Sequence, residues 1–135
     1  MALKIQYCSD LHLELRENNA IDKRNLIPPM GQVLVLGGDI TLFSEMHRNQ
    51  DFFDYISDNF ETTYWIPGNH EYYHSDAHER IGILDESIRS NVHLVNNVTR
   101  FHDDVKLIFS TMWTKISLSN ARYIESSMND FRIIK

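Results

Sequence analysis

One cysteine, Cys8, stands in 135 residues, so no internal disulfide can form and the chain suits a reducing compartment. Glycine and proline are also scarce, at 5 and 3, and no stretch is low in complexity. Collagen-like, linker-rich and generally disordered classes are thereby excluded. Positive charge is in deficit: 13 Lys and Arg against 19 Asp and Glu leave a formal net charge of −6. That balance argues against nonspecific tracking along a nucleic-acid backbone, which needs clustered cations. A bound cation would still make an acidic pocket attractive to phosphate. No apolar run approaches twenty residues, and the first ten residues hold no signal-peptide core. A membrane span is not expected, and the cytoplasm is the expected location.

What is present suffices for one domain with a sizeable core. Hydrophobic residues make up 42%, with 7 Phe, 6 Tyr and 2 Trp, and a domain of this length buries roughly two thirds of its extended-chain surface. Short apolar runs predict strands over Leu3–Ser9, Gln32–Leu36, Thr62–Ile66, Val92–Val95, Val98–Phe101 and Val105–Phe109. The unbroken apolar character of Val33–Leu36 predicts a strand buried on both faces. Helical spacing of Met46, Phe53, Ile56 and Phe60, with Phe52 widening the stripe, predicts a helix over Glu45–Phe60 capped by Ser44. A second helix is expected over Asp76–Arg89, capped by Ser75, from Ala77, Ile81, Leu84 and Ile88. Strands alternating with helices give an α/β architecture.

Three polar clusters each follow a predicted strand: Asp10-Leu11-His12, Gly37-Gly38-Asp39 and Gly68-Asn69-His70-Glu71. In an open α/β sheet the ends of neighbouring parallel strands border one crevice, so Asp10, Asp39 and Asn69 are expected to converge. In an extended run Asp10 and His12 would share a face. Taken singly, each cluster also reads as an ordinary turn. Their repetition at the same end of successive strands favours a site. Carboxylate, imidazole and amide oxygen suit Mn²⁺, Fe or Zn²⁺, and the lack of clustered thiols disfavours a cysteine-based centre.

These three clusters, in this order, resemble the motifs Asp-x-His, Gly-Asp and Gly-Asn-His-Asp/Glu of the calcineurin-like metallophosphoesterases. The resemblance implies a layered sheet-and-helix fold, a β-sandwich flanked by helices in the complete domain. It also implies two divalent or mixed-valence metal ions, Mn²⁺, Fe or Zn²⁺, and a phosphomonoester or phosphodiester substrate hydrolysed by metal-activated water. By the same resemblance Asp10 and His12 ligate one metal, Asp39 bridges both, and Asn69 ligates the second. His70 would contact the phosphate and help protonate the leaving group, with Glu71 orienting His70. A bridging carboxylate offsets the repulsion between two cations about 3.5–4 Å apart, and imidazole suits proton transfer near neutral pH.

The family's complete pattern also has a later isolated histidine and a Gly-His-x-His motif, and neither stands in this sequence. Residues 1–135 are therefore expected to be the N-terminal portion of a metallophosphoesterase domain whose C-terminal part is missing. Such a chain alone would tend to self-associate. A noncatalytic binding or scaffold protein with a partial metal site is the alternative. His47 and His78 read as solvated helix faces, His93 as a strand residue, His102 as part of a polar turn beside Asp103-Asp104, and His74 as a candidate substrate contact. Trp65 and Cys8 read as packing, whereas Tyr72, Tyr73 and Trp113 are candidates for a pocket wall.

Overall fold

A computed structural model describes residues 2–135. Its central sheet has the order β1 (Ile5–Cys8), β2 (Val33–Leu36), β3 (Thr62–Trp65), β5 (Val92–Asn96) and β4 (Leu84–Arg89). The first four are mutually parallel, and β4 runs antiparallel to β5. A second, two-stranded sheet joins β6 (Val98–His102) to β7 (Val105–Phe109). Helix α1 (Gln50–Asn59) follows β2, and the short helices α2 (Ala121–Ser127) and α3 (Asp130–Ile133) come last. The result is the expected α/β class.

Strand alternation divides the core into two layers. Leu34, Leu36, Trp65, Val92 and Leu94 pack with Phe52, Phe53 and Ile56 of α1. From the other face Val33, Tyr64 and Val95 meet Phe109 of β7. Both faces of β2 are therefore covered, as its apolar run requires. Trp65 is fully enclosed. Cys8 is half-buried against the helix-side core, and burial pushes its thiol up to about 11. The outer strand β1 leaves Tyr7 exposed, and Phe101 and Ile108 are exposed on the hairpin. Among the described residues no helix is long and apolar enough to cross a membrane.

Two expected helices differ in the structure. The first is divided: a 3₁₀ segment over Phe43–Asn49 precedes α1, and Ser44 makes no cap. Asn49 breaks the ladder with φ −112 and ψ 31, while its buried amide donates to Thr41 Oγ1 and accepts from Lys23 Nζ. The second expected helix, Asp76–Arg89, is replaced by a 3₁₀ turn at Ala77–Glu79 and strand β4. Gly82, at φ +97, interrupts any helix there. Leu84, Glu86 and Ile88 also share a period of two, which suits β4 in its hairpin with β5. Ile81 and Ile83 are left exposed.

Candidate metal centre and active site

The C-terminal ends of β1, β2 and β3 lie side by side, and the three polar clusters leave the sheet there. Backbone bonds fasten the first loop to the second: Asp10 N–H donates to Gly38 O at 3.0 Å and His12 N–H to Asp39 O at 3.0 Å. The third loop is tied in through Asp39, whose Oδ1 accepts from His70 N–H at 3.1 Å. One potential ligand atom each from Asp10, His12 and Asp39 falls within 4.8 Å of the others.

Convergence of Asp10 and His12 does not come from an extended run. Asp10, His12 and Asp39 all take left-handed backbone conformations, with φ of 58, 44 and 55. Such conformations are costly for residues with a Cβ and persist where the surrounding structure over-determines the backbone, here through the bonds of Asp10 and His12 to the second loop. Asn69, which sequence alone leaves open as a left-handed turn residue, is right-handed at φ −75. The close approach of the loops instead requires glycine at position 68, where an added Cβ would meet the Asp39 carboxylate.

Glu71 does not orient His70. Its carboxylate is fully buried and accepts from Asp39 N–H, Ile40 N–H, Gly68 N–H and the Trp65 indole N–H. It therefore fastens the loop after β2 to the loop after β3. Burial pushes this carboxyl above the usual range, against the downward pull of its four donors.

The partner of His70 is Glu14, a residue the sequence reading did not single out. Glu14 Oε1 lies 3.1 Å from Nδ1 of both His12 and His70, and the side chain is only 8% exposed. A carboxylate can only accept, so each imidazole presents Nδ1–H to it and keeps Nε2 turned away from that contact. The other oxygen, Oε2, is buried with no hydrogen-bond partner among the described residues. Glu14 continues the alternation Asp10-x-His12-x-Glu14, and that was the available signal. The two histidine rings meet edge to face, 4.4 Å between centroids.

The metal implied by this donor set fits the residues present. Two carboxylates and an imidazole gather at one point, and the imidazole is braced by a third carboxylate, that of Glu14, the usual support of a metal-binding histidine. Asn69 stands between Gly68 and His70, which both approach the Asp39 carboxylate, and its amide donates to Asp130 Oδ1 at 2.9 Å and Tyr73 OH at 3.3 Å. Tyr73 stacks on His70, 4.2 Å between ring centroids, and burial together with its bond to Asp130 pushes its hydroxyl up to about 12. Tyr72, expected in a pocket wall, lies in the core against Phe43. Trp113 does line a mainly apolar cavity of about 850 Å³ that opens beside Gly68 and Asn69.

Of the other histidines, His47, His74 and His78 are exposed, and His74 has no side-chain bond to the cluster among the described residues. His102, expected in a polar turn, closes β6 and lies 2.9 Å from the Tyr64 hydroxyl through Nε2.

The structure of the phosphopantetheinyl hydrolase from Mycobacterium tuberculosis is similar, with a TM-score of 0.57 at 16% identity. The match takes in 97% of this chain and 54% of that one, and at this identity it speaks for the fold alone. An uncharacterized protein of Acanthamoeba polyphaga mimivirus is 31% identical, over 97% of this chain and 51% of the viral protein. The chain thus spans about half the length of the relatives it matches. The family model of the calcineurin-like phosphoesterases matches residues 3–129. With that match over nearly the whole sequence, this chain belongs to the calcineurin-like phosphoesterase family.

Proposed function

We propose that the protein hydrolyses a phosphomonoester or phosphodiester with divalent metal ions held at the ends of β1, β2 and β3. Asp10, His12 and Asp39 would hold one ion, and Asp39 with Asn69 would hold part of a second. The observation that carries this reading is the gathering of Asp10, His12 and Asp39 within 4.8 Å, beside a histidine whose ring is fixed by Glu14. Mn²⁺, Fe and Zn²⁺ all suit this mixture of carboxylate, imidazole and amide oxygen. When bound, the ions supply Lewis-acid polarisation of the phosphoryl group and an acidified water.

The chain's own residues supply the rest. Glu14 accepts Nδ1–H of His12, so the opposite nitrogen would be the one to hold the ion. It also accepts Nδ1–H of His70, leaving His70 Nε2 to carry and release a proton at the leaving-group oxygen. Tyr73, stacked on the imidazole, limits rotation of that ring. Two protein donors are few for a tightly held second ion, since three are usual even in open zinc sites. We place the remaining donors outside these 135 residues, with the 135-residue segment as the N-terminal portion of the domain.

Hydrolysis of p-nitrophenyl phosphate and bis(p-nitrophenyl) phosphate by the full-length protein, stripped of metal and reloaded with Mn²⁺, tests the reading. Nitrophenol release that depends on added metal is expected. Metal binding without turnover of either ester would leave a binding role instead.

A further inference from the structure

The amide of Asn69 is held from one side only. Both of its recorded bonds are made by Nδ2, to Asp130 Oδ1 at 2.9 Å and to the Tyr73 hydroxyl at 3.3 Å, and Oδ1 accepts nothing among the described residues. Tyr73 in turn donates its hydroxyl proton to the same oxygen of Asp130 at 2.6 Å. A carboxylate has no proton to give when ionised, so it can face only the nitrogen end of a primary amide. A flipped amide would set its oxygen against the Asp130 oxygen. One orientation of Asn69 is therefore selected, with its oxygen turned away from Asp130.

Asp130 reaches this position across 61 residues of sequence, and the backbone shows how it is kept there. His74 N–H donates to Ile133 O at 3.2 Å, Ala77 N–H to Lys135 O at 2.8 Å, and Lys135 N–H to Ser75 O at 3.1 Å. Helix α3 and the residues after it are thus bonded along the loop that follows Asn69 and His70. Tyr73 links the two parts, with its ring on His70 and its hydroxyl between Asn69 and Asp130.

We propose that Asp130 is a positioning residue for the metal centre: with Tyr73, it fixes the Asn69 amide so that Oδ1 is presented to the second ion. This rests on the reading of Asn69 as a ligand. It adds a contribution from the C-terminal segment that the three strand-end motifs do not contain.

Mn²⁺ titration of the full-length protein, followed by electron paramagnetic resonance, tests it. The wild type should bind two ions and show the spin-coupled spectrum of a neighbouring pair. Asp130→Ala should keep the tighter ion, bind the second about 10–100-fold more weakly, and show the uncoupled six-line spectrum below saturation. Asp130→Asn should recover most of the loss, because its side-chain oxygen can still accept from Asn69 Nδ2. Wild-type binding by Asp130→Ala would overturn the proposal. So would equal losses in Asp130→Asn and Asp130→Ala, which would make the carboxylate charge itself the binding element. Asn69→Ala separates the two levels: if it retains both ions as tightly as the wild type, the ligand reading fails, and this proposal with it.

Discussion

Glu14 and His70 are 56 positions apart in sequence, yet Oε1 of one lies 3.1 Å from Nδ1 of the other. The same oxygen reaches His12, so a single buried carboxylate sets the orientation of both imidazoles. Glu14→Ala should therefore lower both metal affinity and turnover, each by about 10–100-fold. Glu14→Gln should recover part of the loss, since one amide oxygen can still accept from both rings. Equal metal affinity and turnover in wild type and Glu14→Ala would show that the contact has no role in the site.

His70 should separate from the ligands in its effect. As a proton donor to the leaving group, its replacement by asparagine should reduce turnover by about 10²–10⁴-fold while leaving most metal bound. The loss should shrink for a nitrophenyl ester, whose leaving group needs little protonation. Comparing alkyl and nitrophenyl esters checks this, and an equal loss on both would remove His70 from the acid role.

Glu71 belongs to stability rather than to chemistry. In Glu71→Gln one oxygen becomes an NH₂ group that must face two of the four N–H donors now converging on the carboxylate. Leaving buried donors unpaired should cost about 2–4 kcal/mol, read as a lowered urea midpoint at neutral pH. An unchanged midpoint would contradict the role of Glu71 in fastening the loops.

The Cys8 thiol is pushed up by burial to about 11, so little thiolate forms at pH 8 in the folded protein. Iodoacetamide should modify native, metal-free protein far more slowly than protein unfolded in urea. The native rate should climb as pH rises toward about 11. A native rate at pH 8 matching that of the unfolded chain would refute this shielding.

Much of this was legible in the sequence because it is local. The run Val33–Leu36 is apolar on both faces and becomes a strand covered on both faces. Asp10, Asp39 and Asn69 each stand just past a strand, and parallel pairing alone brings those ends together. Residues 76–89 misled because Ala77, Ile81, Leu84 and Ile88 fit a helical stripe while Leu84, Glu86 and Ile88 fit a strand. Only pairing with β5 and the positive φ of Gly82 decide between them. The left-handed conformations of Asp10 and His12 were hidden for a related reason, since they answer to the Gly38 and Asp39 carbonyls of another loop. Asp130 carries no local signal at all, because its contact with Asn69 is made by the fold.

The most direct test is the metal stoichiometry of the full-length protein and of Asp39→Asn, measured by elemental analysis after dialysis. Asp39 is the carboxylate proposed to serve both ions, and its place is set by Gly68 and by the His70 amide. Two ions per wild-type chain, with both sites depleted in Asp39→Asn, is the result predicted. Equal metal content in the two proteins, or a wild type that retains none, would contradict a two-ion centre bridged by Asp39.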